Sequence, residues 1–72
     1  MNKIGKRCAE AILQKVGEGS LEKELYRLEL TRQSLHQWQK GKYTPHAKVL
    51  RRMALAGYDV IYILTGERKN NA

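Results

Sequence analysis

Side chains of the types that can hydrogen-bond to DNA bases recur at helical spacing in the run TRQSLHQWQK, residues 31–40. Projected at about 100° per residue, five of its side chains fall within an arc of roughly 140°: Arg32, Gln33, His36, Gln37 and Lys40. Arginine can pair bidentately with guanine and glutamine with adenine, while lysine can neutralise a phosphate. The spacing therefore predicts a helix that presents these groups to the major groove of duplex DNA. The base-contact candidates are Arg32, Gln33, His36 and Gln37, with Lys40 at the end of the same stripe.

The other side of this segment is apolar, because Leu35 and Trp38 lie three residues apart. One interpretation of Trp38 is a stacking platform for single-stranded bases, but its spacing from Leu35 favours core packing. Thr31 has the hydroxyl typical of an N-cap, and Gly41 predicts the end of the helix. The candidates for phosphate contacts surround the two ends of the helix: Thr31, Lys40, Lys42 and Tyr43. For Tyr43, packing beneath the loop stays open as the alternative.

The charge of the chain favours a polyanionic partner. Its 72 residues carry 14 Lys and Arg against 7 Asp and Glu, a net charge of +7. No Asp or Glu lies between Thr31 and Asp59, whereas a merely solvated surface usually mixes charges of both signs. We therefore expect double-stranded DNA as the partner. The length predicts one domain, residues 1–67, with a polar tail at residues 68–72.

Other classes of protein are disfavoured. The single cysteine, Cys8, excludes an intrachain disulfide and favours a reducing compartment, so we expect a cytoplasmic protein. Its spacing of four residues from Ile4 and Ile12 predicts a buried structural thiol. No apolar run approaches the roughly 18 residues of a membrane span, and no signal-peptide pattern is present, so we expect no membrane partner. The spacing of Cys8, His36 and His46 predicts no metal site, cofactor or enzyme centre.

Apolar periodicity and helix punctuation predict five helices and no strand, that is, a compact all-α bundle. The first helix covers about residues 3–16, Ser20 caps the second, and the third is residues 31–40. Thr44 and Pro45 predict the start of the fourth helix, as N-cap and first helical residue, and Asp59 caps the fifth, residues 60–64. The expected apolar faces are Ile4, Cys8, Ala11, Ile12 and Val16 in the first helix, Leu21, Leu25 and Leu28 in the second, and Val49, Leu50, Met53, Ala54 and Ala56 in the fourth.

The fifth helix and its approach carry more apolar surface than one side can bury. The residues concerned are Tyr58, Ile61, Tyr62 and Leu64. One interpretation is a tail that packs on the first helix. The other is a two-fold interface between copies of the chain, because exposed apolar patches on small domains often mark partners. We favour the interface and expect a homodimer.

Two short helices joined by a tight link, within residues 21–40, are typical of a helix-turn-helix. From about Gly19 to Glu67 the chain resembles the DNA-binding domain of lambdoid phage repressors and Cro proteins. The most specific pieces are TRQSLHQW, the GK-x-TP junction and the LTGE that closes YDVIYILTGE. The resemblance implies a lambda-repressor-like bundle in which the helix matching residues 31–40 lies in the major groove. It also implies that Arg32, Gln33 and Gln37 contact bases.

The chain departs from that family at the second helix and the turn after it. Glu29 stands where the family usually has glycine, and a left-handed backbone there would cost roughly 1–2 kcal/mol. Leu25 replaces a small residue at the helix crossing and Glu24 an apolar one, which predicts a wider crossing or a rotated or shifted second helix. Leu21 replaces the glutamine that grips a phosphate in the family, so that contact is not expected.

Two functional hypotheses follow from the sequence. The first is a regulator of the Cro or small-repressor type, which binds a palindromic operator as a homodimer and represses transcription. The alternative is an antitoxin-like module whose main partner is another small protein, docked on the apolar last helix. Membrane binding by the basic first helix is disfavoured because its apolar face lacks bulky aromatic anchors.

Overall fold

Helices account for most of residues 3–68, the part of the chain that the computed structural model describes. They are α1 (Lys3–Val16), α2 (Leu21–Arg27), α3 (Arg32–Gln39), α4 (Ala47–Leu55) and α5 (Val60–Thr65). No strand occurs among the described residues, so the prediction of an all-α fold with five helices is confirmed. Of the predicted polar tail, residues 69–72 lie outside the described residues.

Three polar side chains predicted to cap helices do so. Ser20, Thr31 and Asp59 each accept a hydrogen bond from the backbone N–H three residues later, at 3.2, 3.1 and 3.0 Å respectively. Each bond satisfies an orphan N–H at a helix start, which is worth about 1 kcal/mol. Local sequence therefore fixes the starts of α2, α3 and α5.

The start of α4 lies later than Thr44 and Pro45 predict. His46 is the N-cap, with extended backbone at φ −70° and ψ 158°, and its side chain makes no capping hydrogen bond. The first helical bond runs from the Leu50 N–H to the His46 carbonyl, at 3.1 Å. Pro45 is buried. Burial of its ring in an extended segment prevails over the local preference of proline for the first helical position, so the predicted start is wrong.

The core is built around α1. Its Cys8, Ala9 and Ile12 side chains are fully buried, and α1 contacts α2, α3 and α5. Cys8 Sγ lies 3.5 Å from Met53 Sδ, and burial raises the pKa of the thiol to about 12. The prediction of a buried structural thiol is therefore confirmed. The complete buried cluster is Cys8, Ala9, Ile12, Leu25, Leu28, Leu35, Trp38, Met53 and Ile63.

The short helices α4 and α5 bury narrower stripes than the sequence predicts. Ala54, expected in the core, is exposed, because it lies about 100° around the helix from the buried Met53. In α5 the buried residue is Ile63, which the sequence-based list of apolar residues leaves out. Arg7 of α1 donates to the Ile63 carbonyl at 2.9 Å, so α5 is joined to α1 by a hydrogen bond as well as by packing.

The turn between α2 and α3 ends α2 in a Schellman motif. The Glu29 N–H donates to the Tyr26 carbonyl at 3.1 Å, and the Leu30 N–H donates to the Leu25 carbonyl at 2.8 Å. Glu29 has a left-handed backbone with φ 58°, and it is the one non-glycine residue among residues 3–68 with positive φ. The turn thus has the left-handed conformation that glycine would adopt without strain.

Contacts from α4 hold this strained turn in place. Arg52 Nη1 donates to the Leu28 carbonyl at 3.0 Å, and Arg52 Nε lies 3.6 Å from a carboxylate oxygen of Glu29. The Leu28 carbonyl is at the C-terminal end of α2, where a cation also interacts favourably with the helix dipole. Tertiary contacts therefore offset part of the strain at Glu29.

Glu24 is accommodated by a polar network between α2 and the link from α4 to α5. The Tyr58 hydroxyl donates a hydrogen bond to the Glu24 carboxylate. Arg27 Nε and Nη2 donate to the same carboxylate at 3.0 and 2.7 Å, and Lys15 Nζ lies 4.8 Å from the centre of the Tyr58 ring. These contacts replace the apolar packing that the resemblance implies at Glu24, while Leu25 beside it is buried.

The same network shifts the titration of both of its central groups. The hydrogen bond from Arg27 holds the pKa of Glu24 below its usual value, with the Tyr58 hydrogen bond acting in the same direction against burial. Burial, reinforced by the neighbouring carboxylate, raises the pKa of Tyr58. The folded chain therefore stabilises the ionised form of Glu24.

We predict that Glu29→Gly is more stable than Glu29→Ala. Both variants lose the ion pair to Arg52, but only glycine relieves the left-handed backbone. The free energy of unfolding should be about 1 kcal/mol higher for the glycine variant, as measured by urea denaturation followed by circular dichroism. Equal stability of the two variants would contradict a left-handed residue at this turn.

We predict that acid destabilises the fold in part through Glu24. Because its pKa is lower in the folded chain, its contribution is complete above the unfolded value of about 4.5 and is lost as the pH falls through the lower folded value. The urea midpoint should therefore fall less on acidification for Glu24→Gln than for the wild type. Glu18→Gln, at an exposed position in the α1–α2 link, is the control. A parallel decline in all three proteins would be evidence against the network.

Candidate nucleic-acid interface

α3 presents its apolar side to the core and its polar side to solvent, as predicted. Leu35 and Trp38 are each 5% exposed, so Trp38 is a core residue and not a stacking platform. On the polar side lie the exposed residues Arg32, Gln33 and His36 and the half-buried Gln37. The structure therefore brings the base-contact candidates together on one accessible face.

A close approach of α1 fixes the position of α3. Gly5 is buried, and a Cβ atom placed there would lie 2.5 Å from the Tyr43 carbonyl oxygen and 3.3 Å from Trp38 Cα. Because these are backbone atoms, a side chain at Gly5 would push α1 away from the end of α3. Because the contact is between backbone atoms, the pattern of large apolar residues does not predict it. The available signal is the pair of small residues Gly5 and Ala9, four apart on one helical face.

The N-terminus of α3 is closed by its own side chains. The Thr31 hydroxyl accepts a hydrogen bond from the Ser34 N–H and donates to Ser34 Oγ at 3.2 Å. The hydroxyl proton is therefore engaged within the cap. The predicted phosphate contact of Thr31 would need this hydroxyl to change its partner.

The C-terminus of α3 ends in a second Schellman motif, at the predicted Gly41. Gly41, with φ 73°, donates its N–H to the Trp38 carbonyl at 3.0 Å, and the Lys42 N–H donates to the Gln37 carbonyl at 3.1 Å. Lys40, Lys42 and Tyr43 are exposed around this turn. The Tyr43 side chain does not pack beneath the loop, so the alternative for this residue is wrong.

α3 forms a ridge between two grooves of similar size. One, of about 420 Å³, separates α3 from the α2–α3 turn and from the approach to α4. The other, of about 440 Å³, separates α3 from α1 and the start of α2. Gln33 lines both grooves and so stands at the crest, with Gln37 on one flank and Arg32 and His36 on the other. The two grooves leave both flanks of α3 accessible, and a DNA major groove is wide enough to admit a single α-helix.

The cations around the ridge divide into paired and unpaired groups. Arg32 pairs with Glu22 and Arg52 with Glu29. Within residues 3–68, the exposed cations of the α3–α4 region that make no ion pair are Lys40, Lys42, Lys48 and Arg51. Positive charge therefore remains uncompensated beside the C-terminal end of α3 and along α4.

The partner of Arg32 comes from α2 and not from its own helix. Arg32 Nε and Nη2 both contact one carboxylate oxygen of Glu22. Both side chains are 66% exposed, so water screens the pair and it is worth at most about 1 kcal/mol. Although α3 contains no acidic residue, Arg32 is paired, because α2 supplies Glu22. The sequence alone does not show that these two residues lie near each other.

The apolar residues predicted for a dimer interface are partly exposed. Ile61 is 55% and Leu64 42% exposed. Leu55 of α4, which is not among the residues predicted for the interface, is 74% exposed. The part of the molecule formed by α4 and α5 therefore presents aliphatic side chains to solvent. The other side of α5 packs on α1.

The two tyrosines of the predicted interface are half-buried. Tyr58 is held by its hydrogen bond to Glu24. The Tyr62 ring is covered by Arg68, whose guanidinium carbon lies 4.1 Å from the ring centre. Contacts within the chain therefore occupy part of both side chains, and the exposed apolar surface of α5 comes mainly from its aliphatic residues.

No group of three or more His, Cys, Asp or Glu side chains between residues 3 and 68 is arranged to hold a metal ion. None of the helices in this range has the length and apolar character needed to cross a membrane.

Comparison with known proteins identifies no relative. No protein-family model, curated protein or solved structure matches this chain. The likeness to lambdoid repressors and Cro proteins therefore rests on the sequence motifs alone.

Proposed function

We propose that this protein is a sequence-specific regulator that binds duplex DNA with α3 in the major groove. The observation that carries the proposal is the α3 ridge. Gln33 stands at its crest and Arg32 beside it, while Leu35 and Trp38 anchor its other side in the core. Anchoring matters because base recognition needs donors and acceptors in a fixed register.

Affinity in this proposal comes mainly from phosphate contacts. Lys40, Lys42 and Tyr43 lie at the C-terminal end of α3, where a sugar-phosphate strand would pass. The unpaired Lys48 and Arg51 of α4 add to the positive field. Neutralised phosphates release their counterions, so affinity should fall steeply as salt rises.

Base preference comes from the polar side of α3. The amide of Gln33 can pair with N6 and N7 of adenine, and the guanidinium of Arg32 with O6 and N7 of guanine. Gln37 would reach bases from one flank of the ridge and His36 from the other. These assignments give each half-site a preference at a few adjacent base pairs.

Regulation in this proposal follows the Cro or small-repressor type. A homodimer with two-fold symmetry would bind a palindromic operator whose half-sites lie about 34 Å apart, one helical turn of DNA. Occupation of such an operator in the cytoplasm would exclude RNA polymerase by steric overlap. Repression is therefore the expected sign of regulation.

We predict that Gln33→Ala relaxes base preference at one position of each half-site by about 1–3 kcal/mol. The other positions should keep their preferences, because the change removes one amide from the crest. Selection from random duplexes at two salt concentrations would supply the consensus, and competition with single-position variants would measure the change.

Gln14→Ala is the matched control for Gln33→Ala. Gln14 is also an exposed helical glutamine, but it belongs to α1 and lines neither groove beside α3. It should leave the base preference unchanged. A uniform loss across all duplexes in the Gln33 variant would exclude a base contact. Failure of the wild type to enrich any palindrome would refute the proposed function.

We predict that the chain forms a homodimer that the double variant Ile61→Ser, Leu64→Ser weakens at least about tenfold, because it removes exposed apolar area from α5. Tyr26→Ser, which removes an exposed aromatic side chain from α2, is the control. Sedimentation equilibrium gives the dissociation constants. A wild type that stays monomeric at every concentration would contradict the dimer and favour the alternative, in which another small protein covers this surface.

A further inference from the structure

An acidic side chain of α2 lies at the edge of the α3 ridge. Glu22 is in the first turn of α2, and one of its carboxylate oxygens contacts both Nε and Nη2 of Arg32. In the proposed complex this carboxylate would stand near DNA phosphates, which repel it. A favourable interaction with the dipole of α2 accounts for an acid in its first turn, but not for its contact with the arginine of the neighbouring helix.

The geometry of the contact decides which donors of Arg32 remain for a ligand. A guanidinium is planar, and Nε–H and one Nη2–H lie along one edge of it. Glu22 occupies that edge. The end of the group carries two further parallel donors, one from Nη1 and one from Nη2. Two parallel donors match the O6 and N7 acceptors of guanine in the major groove.

Contact with Glu22 also restricts the conformation of Arg32. A long side chain that moves freely in water loses rotamer freedom when it binds, and this loss opposes binding. An arginine already held by a carboxylate loses less. This smaller loss of rotamer freedom favours binding only to the base pair that accepts Arg32 in the orientation that Glu22 holds. Other base pairs gain nothing from it.

We propose that Glu22 is a positioning residue that orients Arg32 toward guanine without contacting a base itself. This inference rests on the proposed function, because it assigns a base and a supporting residue to one of the contacts of α3. The alternative hypothesis is that Glu22 only repels the DNA phosphates. Removal of Glu22 would then strengthen binding to every sequence.

A double-mutant cycle on the full chain separates the two hypotheses. The proteins are the wild type, Glu22→Ala, Arg32→Ala and the double variant, each titrated with the selected duplex and with its single-position variants. Glu22→Ala should lower the discrimination for guanine at one base pair of each half-site by about fivefold, the size expected for an exposed ion pair. The same change should have no effect on discrimination in the Arg32→Ala background.

Glu18→Ala is the matched control, because it removes the same charge from an exposed position in the α1–α2 link. It should change affinity for all duplexes alike and leave discrimination unchanged. The inference is overturned if Glu22→Ala behaves in the same way as Glu18→Ala, or if its effect on discrimination persists without Arg32.

A measurement without DNA distinguishes failure of this inference from failure of the proposed function. The Arg32 Nε–H signal in nitrogen–proton correlation spectra should be protected from water exchange in the wild type and lose that protection in Glu22→Ala, but not in Glu18→Ala. An unchanged signal in Glu22→Ala overturns the positioning role alone. A protected signal in a protein that prefers no duplex overturns the proposed function, and the guanine assignment with it.

Discussion

The packing of Leu35 and Trp38 against α1 is the contact on which the rest of the structure depends. α3 has 8 residues, too few to be stable as an isolated helix in water. Burial of its apolar side therefore supports the helix and also determines the direction of its polar side. Gly5 contributes by having no side chain, which allows α1 to lie against the backbone at the end of α3. The same packing therefore sets the orientation of the ridge and stabilises the core.

Most of the helices could be predicted because their signals are local. A capping hydroxyl or carboxylate at Ser20, Thr31 or Asp59 acts on an N–H three residues away, so the sequence contains both partners. The start of α4 could not be predicted in this way, because it depends on the burial of Pro45 in the folded chain. The exposure of Ala54 has a similar cause, since α4 buries only as wide a stripe as its neighbours cover.

The candidate site shows the same division between local and tertiary information. Periodicity alone predicts the base-contact candidates on one side of α3 and Trp38 on the other. The contact of Arg32 with Glu22 crosses from one helix to the next, and that of Glu24 with Tyr58 joins residues 34 apart in the chain. Neither has a periodic signal, because each depends on how two helices pack. The left-handed turn at Glu29 is an intermediate case, which only the resemblance to a family with glycine there could indicate.

Arginine and lysine have different roles around the ridge, and the difference follows from their chemistry. Each acid of α2 and its turn is paired with an arginine: Glu22 with Arg32, Glu24 with Arg27 and Glu29 with Arg52. A planar guanidinium forms directed pairs of this kind, whereas an ammonium group acts more as a point charge. The lysines at the end of α3 and in α4, together with Arg51 of α4, stay outside these pairs. The acids therefore compensate particular arginines and fix their geometry, while the positive field around the ridge persists. In the proposed complex, discrimination would depend on the paired arginine and the glutamines, and the salt-dependent part of the affinity on the lysines.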